Sequence, residues 1–197
     1  MTDKTNTVKN EIFEWIKALL IAGAIVFLIR WLAFNPFIVD GDSMLPNFRN
    51  GEKMIVNKLI YEFREPKRGE VIVFLAPEGK DYIKRVIALP GERVKVNGDD
   101  ILINGKPISE PYIQEEVDKA QAVGGSYNSS FYSITEEVTV PEDSLFVLGD
   151  NRPFSKDSRF PDVGFVPYDH IVGRADFVYW PLGDLRLVKQ KVEVEQP

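Results

Sequence analysis

The sequence predicts a mainly β protein, an antiparallel β-sheet domain preceded by one N-terminal transmembrane helix. Three observations carry that prediction. An unbroken apolar run, Ala18 to Ile29, stands near the amino end. Behind it, short β-branched and aromatic segments recur between turns rich in glycine, proline and asparagine. No segment of helical period separates them. Parallel strands would need such crossovers, so an antiparallel sandwich or barrel follows.

The amino end comes first. Residues 1–15 are polar and carry Lys4 and Lys9. Lys17 and Arg30 bracket the apolar run, which Trp31, Leu32, Ala33 and Phe34 extend. With both cations reaching out of the lipid, Ile16 to Phe37 supplies 22 residues. Spanning a bilayer takes roughly 20. Trp15 and Trp31 sit near the two ends, where interfacial aromatics belong. The reading is a membrane anchor at residues 16–35. A secretory signal peptide is the first rival, but bulky Trp31, Phe34, Asn35 and Pro36 stand where small cleavage-site residues are required. A buried core helix is the second, but this run is apolar on every face. Lysines on the amino side favour a cytoplasmic segment 1–15 and a domain on the extracytoplasmic face.

After Pro36 the predicted strands are Lys53–Tyr61, Glu70–Leu75, Tyr82–Leu89, Arg93–Val96 and Ile101–Ile103, then Val138–Val140, Ser144–Leu148, His170–Ala175, Phe177–Trp180 and Leu185–Val188. Pro90-Gly91, Asn97-Gly98, Asn104-Gly105 and Pro181–Gly183 mark turns between them. Residues 119–133, polar and rich in glycine and serine, read as a mobile loop or hairpin tip. There is no internal repeat.

Composition narrows the function. The 197 residues contain no cysteine, so neither a disulfide framework nor a thiolate nucleophile is possible. A net charge of -6 argues against nucleic acid as a partner, which demands a basic face. The single histidine, His170, rules out a multi-histidine metal site, and no EF-hand spacing is visible. No metal and no cofactor is expected.

Three stretches remain that carry chemistry. The first is Gly41-Asp42-Ser43-Met44-Leu45-Pro46. A serine between glycine and proline is commonly only a turn residue, and its hydroxyl needs a base to act as a nucleophile. His170 could supply one in a Ser43–His170–Asp arrangement, although it reads as a loop residue entering a strand. A lysine could serve instead if burial lowered its pKa by several units. Lys84 lies in such a strand, Asp81-Tyr82-Ile83-Lys84-Arg85-Val86-Ile87. By alternation Tyr82, Lys84 and Val86 share one face, and Arg85 shares the other with Ile83 and Ile87. Both cations would otherwise snorkel from an edge strand. The third stretch, Gly149 to Arg159, packs five charges and two serines beside an apolar strand. It is either a polar turn held by its own hydrogen bonds or a loop that offers an Asp–Arg pair and hydroxyls to a neighbouring site.

With these stretches in order behind an anchor, the chain resembles the bacterial type I signal peptidases, of the Gram-positive-like branch. The resemblance covers nearly the whole length. It rests on Gly41 to Pro46, Arg68-Gly69-Glu70-Val71-Ile72-Val73-Phe74, Tyr82 to Glu92, and Gly149-Asp150-Asn151-Arg152 with Ser155, Asp157, Ser158 and Arg159. It implies a Ser/Lys dyad, with Ser43 as nucleophile and Lys84 as general base, and leaves His170 structural. Ser155 would orient the lysine amine. Asp157 and Arg159 would form a supporting ion pair that Asp150 joins. The Ser43 N–H would supply part of an oxyanion hole. Gram-negative relatives carry a second hydroxyl at the position of Gly41, and this chain has none there.

The implied partners are secretory preproteins, cleaved after small-x-small sites, and the lipid bilayer, with the enzyme a monomer. Phe37, Val39, Met44, Tyr82 and Ile83 are the expected walls of the substrate pockets. The implied fold is a catalytic β domain at residues 36–92 and 142–190, an inserted β subdomain at 93–141, and a C-terminal tail at 191–197. Two rivals stand against this reading. A non-catalytic tethered relative would lose the serine or the lysine, and both are present. A self-cleaving repressor of related fold would carry a DNA-binding domain where the apolar run stands.

Overall fold

The structure, a computed structural model, describes residues 2–128, 134, 136–190 and 193–194, with side chains described for 11–27, 35–128, 134 and 136–190. One helix, α1 (Thr2–Ala33), opens the chain. The polar residues after Met1 and the apolar run share this one helix. The helix stops at Ala33 because strand β1 (Phe34–Ile38) starts there, two residues before the expected boundary at 35. Among the described residues no helix is long and apolar enough to cross a membrane. The expected anchor, 16–35, extends past the side chains described for α1.

β1 pairs antiparallel with β2 (Lys53–Asn57), Phe37 opposite Met54. β2 alternates as a half-buried strand should, with Met54 and Val56 inward. It ends at Asn57 rather than Tyr61, and a one-turn helix, α2 (Ile60–Phe63), follows. β3 (Val71–Leu75) and β4 (Asp81–Ala88) form a hairpin in the middle of the larger sheet. Both are buried on both faces over most of their length, which explains why they read as continuous apolar runs. Next come β5 (Arg93–Asn97), β6 (Asp100–Ile103), β7 (Lys106–Ser109) and α3 (Gln114–Ala122). The expectation of no helix behind the anchor is thus corrected by α2 and α3. Lys119 to Ala122, expected as loop, close α3, and residues 129–133 of that loop lie outside the described residues.

β8 (Val138–Thr139), β9 (Ser144–Leu148), β10 (Val166–Pro167), β11 (Ile171–Trp180), β12 (Arg186–Leu187) and β13 (Glu193–Val194) complete the chain. β11 is one strand, not two; the break read at Asp176 is a bulge in its pairing with β2, between Ala175 and Phe177. The larger sheet runs β1-β2-β11-β3-β4-β9-β10, with β12 also on β11. Gly173 lets β11 pass close to β2, since a Cβ there would stand 2.5 Å from the Asn57 carbonyl oxygen. The smaller sheet runs β13-β7-β6-β5-β8. Its strand β13 comes from the segment read as a tail.

Every strand pair is antiparallel. The two sheets share a core in which Ile87, Phe146 and Leu148 of the larger pack with Val94, Val96, Ile101 and Ile103 of the smaller. β4 and β9 meet both this core and a second one around Ile72, Val86 and Val147. Val86, Ile87 and Ala88 thus anchor β4 just beyond Lys84.

Candidate active site

Ser43 follows the exit of β1. The chain turns at Gly41, whose φ of +98° is open to glycine and strained for other residues. The turn closes when Leu45 N–H donates to the Asp42 carbonyl at 3.1 Å and Phe48 N–H to the Met44 carbonyl at 2.9 Å. Met44 then points into the core and is fully buried.

Lys84 reaches Ser43 from β4. Its Nζ lies 2.8 Å from Ser43 Oγ and 2.9 Å from the Ile83 carbonyl oxygen, to which the ammonium form donates. The side chain is 3% exposed. Burial drives the amine down to a pKa of about 8, from 10.5, against the opposing pull of Asp157 and Asp150. Arg159 lowers it further. A lysine nitrogen with that pKa is substantially neutral near pH 8 and can take a proton from a hydroxyl. β4 is a central strand, so neither Lys84 nor Arg85 snorkels from an edge; both are buried, on opposite faces. His170 is exposed at the start of β11 and is not among the residues around Ser43.

The Gly149–Arg159 loop leaves β9 and grips the serine turn. Asn151 N–H donates to the Ser43 carbonyl at 3.0 Å, and Asn151 Nδ2 to the Asp42 carbonyl at 2.9 Å. Gly149 fits between the two: a Cβ there would stand 2.1 Å from Ser155 Oγ and 2.5 Å from the Ser43 carbonyl oxygen. Asp157 accepts from Gly149 N–H at 3.0 Å and from Arg159 Nε and Nη2 at 2.8 and 2.9 Å. Both side chains of that pair are wholly buried.

Asp150 lies elsewhere than expected. It does not join the Asp157–Arg159 pair but binds Arg85, Nε to Oδ1 at 2.8 Å and Nη2 to Oδ2 at 2.7 Å. The reason is strand alternation, which sends Arg85 to the face opposite Lys84, where Asp150 waits. Ser155 is buried beside Gly149, yet its Oγ has no hydrogen-bond partner among the described residues. The hydrogen bond to the lysine amine that the resemblance implies is not formed.

A cleft of about 500 Å³ opens over the dyad. Phe37, Val39, Tyr82 and Ile83 line it, with Phe154 and Lys156 on the loop side. Met44, the fifth expected wall residue, does not line it, because the tight turn after Ser43 folds its side chain inward. Beside the cleft, β9 pairs with β4 only at Arg85, Val86 and Ala88, so among the described residues the edge of β4 at Asp81–Lys84 has no strand on that side.

Four residues that sequence reasoning left out hold this region together. Arg152, wholly buried, donates to Gly149 O at 2.9 Å and to both oxygens of Glu110, at 2.8 and 2.5 Å. Tyr112 stacks its ring 3.9 Å from the Arg85 guanidinium. Asn47 Nδ2 donates to Asp150 Oδ2 at 2.9 Å and to the Tyr112 carbonyl at 3.1 Å. The only sequence signal for them was the density of charge around Arg152. Among the described residues no cluster of acids or histidines could hold a metal ion.

The chain is similar to known proteins over most of its length. A family model described as signal peptidase, peptidase S26, matches residues 12–180. Signal peptidase I of Bacillus licheniformis is 39% identical over 185 residues, which cover 93% of this chain and 97% of the relative. Signal peptidase I T of Bacillus subtilis is 39% identical over 190 residues, covering 95% and 96%. The crystal structure of a signal peptidase I from Enterococcus faecalis is 36% identical, covers 56% of this chain and 97% of its own, and superposes with a TM-score of 0.47.

Proposed function

The chain belongs to the signal peptidase family, peptidase S26, and is a hydrolase of the serine peptidase kind; from that premise we propose that it removes signal peptides from secretory preproteins with Ser43 as nucleophile and Lys84 as general base. The observation that carries the proposal is the 2.8 Å contact between Lys84 Nζ and Ser43 Oγ, made by an amine that burial keeps near neutrality. The neutral amine accepts the Ser43 proton as Oγ attacks the scissile carbonyl. It then gives that proton to the departing amine, and the acyl-enzyme is left for water to hydrolyse. The Ser43 N–H stabilises the oxyanion. Ser155, whose buried hydroxyl is unengaged among the described residues, is the group available to orient the amine when substrate excludes water.

The substrate lies extended along the open edge of β4 at Asp81–Lys84, where main-chain hydrogen bonds hold it. Alternate side chains enter the wall formed by Phe37, Val39, Tyr82 and Ile83. A narrow apolar wall admits small residues and excludes large ones, which fits cleavage after small-x-small sites.

The helix α1 tethers the enzyme to the bilayer. Every described side chain from residue 11 to 27 is exposed, including Leu19, Leu20, Ile25, Val26 and Phe27. Apolar residues bare on all faces of a helix need a non-aqueous surrounding. Sharing one membrane with the signal peptide raises the effective concentration of substrate, and the catalytic domain then faces outward.

The test is cleavage of a preprotein by the purified full chain in detergent, with sequencing of the new amino terminus. Cleavage after a small-x-small site, lost in Ser43→Ala and in Lys84→Ala, is the expected result. Normal processing by either variant would remove the dyad.

A further inference from the structure

We propose that Glu110 and Tyr112, which follow the smaller sheet's strand β7, are positioning residues for the Ser43–Lys84 site and act through the guanidinium groups of Arg152 and Arg85. The proposal rests on the catalytic reading above and extends it to residues far from the cleft.

The argument begins with Arg152. Its guanidinium is wholly buried, so each of its donors must find an acceptor. One acceptor lies on the catalytic loop, the Gly149 carbonyl at 2.9 Å from Nε. The others come from the inserted segment: both Glu110 oxygens, the Tyr112 hydroxyl at 3.0 Å and Asn128 Oδ1 at 3.2 Å. The Tyr112 hydroxyl in turn donates to Glu110 Oε1. Burial and Glu110 push that phenol well above its ordinary pKa, so it stays a donor. A bidentate carboxylate and a hydroxyl fix the guanidinium in one plane, and Nε then fixes Gly149.

Gly149 is the residue that packs against Ser155 and the Ser43 carbonyl oxygen. A displacement of Arg152 would therefore pass straight to the backbone around the nucleophile. Tyr112 adds a second hold. Its ring covers the Arg85 guanidinium at 3.9 Å, and Arg85 is covalently next to Lys84. The bidentate bond of Arg85 to Asp150 ties the same strand to the start of the same loop. Both ends of the Ser43–Lys84 contact are thus held from the inserted segment, through two buried cations.

A merely structural role would lower stability and leave the chemistry of the folded fraction alone. Two variants of the full chain separate these cases, Tyr112→Phe and Glu110→Gln, with melting curves to fix the folded fraction. The expected result is a kcat lower by about tenfold in each, with KM for a preprotein held within about twofold. The double variant should lose little more than the worse single one, because both act on one guanidinium.

A second measurement needs no substrate: the Lys84 amine is titrated by NMR in the parent and in Tyr112→Phe. That exchange removes no charge, so an upward movement of the lysine titration reports water reaching the amine as the loop loosens. A parent that cleaves no preprotein would overturn the catalytic reading, and the titration would still decide this proposal. An unmoved Lys84 titration, or activity lost only in proportion to the unfolded fraction, overturns it.

Discussion

Lys84 and Arg85 are consecutive on one strand and both are buried, but only Arg85 is given a carboxylate. Arg85 binds Asp150 through two hydrogen bonds, whereas Lys84 forms no ion pair among the described residues and bonds Ser43 and the Ile83 carbonyl instead. The difference decides their chemistry. A buried cation with a bidentate anion stays charged, and one without is driven toward neutrality.

Activity should therefore rise with pH. Burial holds Lys84 down to about 8, so the ammonium form dominates below that value and cannot accept the Ser43 proton. The acid limb of kcat/KM against pH should have its midpoint near that value. A profile flat from pH 5 upward would remove Lys84 as the base.

The same shift acts on stability. Between about 8 and 10.5 the unfolded chain holds a proton on Lys84 that the folded chain does not, so stability climbs with pH across that window. Below it the cost is constant, on the order of 3 kcal/mol, for this buried side chain. Lys84→Met should consequently raise the urea midpoint at pH 7, by an amount that shrinks as pH rises above about 8. An equal gain at pH 7 and pH 10 would contradict the linkage.

Two glycines should respond to alanine to different degrees. At Gly149 the new methyl meets Ser155 and the Ser43 carbonyl oxygen inside 3 Å, with backbone on one side. Gly149→Ala should cost more than about 2 kcal/mol and abolish cleavage. At Gly41 nothing lies within 4 Å, and only the φ of +98° opposes the substitution. Gly41→Ala should cost about 1–2 kcal/mol in a denaturant titration and keep measurable activity.

Asp157→Asn removes the carboxylate from a wholly buried pair, which typically costs about 3–5 kcal/mol. Asp157 also raises the Lys84 pKa. In protein that remains folded, the acid limb should move to lower pH, and movement to higher pH would contradict the electrostatic assignment.

Ser155→Ala deletes a hydroxyl that is buried and unengaged among the described residues. Removing such a group should leave the melting temperature unchanged or raise it. If the hydroxyl orients the amine during reaction, kcat should still fall by about tenfold or more. Full activity in the variant would end that role for Ser155.

Much of the site was legible because its signals are local. Lys84 announces itself as a cation inside an apolar strand, and Asp157 and Arg159 are two residues apart. Most strands could be read for the same reason, since alternation and turn residues act over a few positions. Contacts across the fold could not. Asp150 finds Arg85 from 65 residues away, and Arg152 finds Glu110 from 42. No pattern near Asp150 distinguishes those partners from the arginine pair beside it. Met44 misled because a place beside Ser43 in the sequence is not a place in the wall: the tight turn there folds its side chain into the core. β7 was missed because Pro107 stands inside it; the register with β6 sets that proline opposite Leu102.

Lys189, Gln190 and strand β13 are tied to elements synthesised much earlier. Arg85 donates to the Lys189 carbonyl, 104 residues further along the chain, and Gln190 bridges Val71 N–H and the Ala175 carbonyl. Strand β13, later still, borders the smaller sheet. On a ribosome, Ser43 and Lys84 are synthesised long before these partners emerge. The nascent chain therefore carries Ser43 and Lys84 through translation with Arg85 still short of one acceptor, the Lys189 carbonyl.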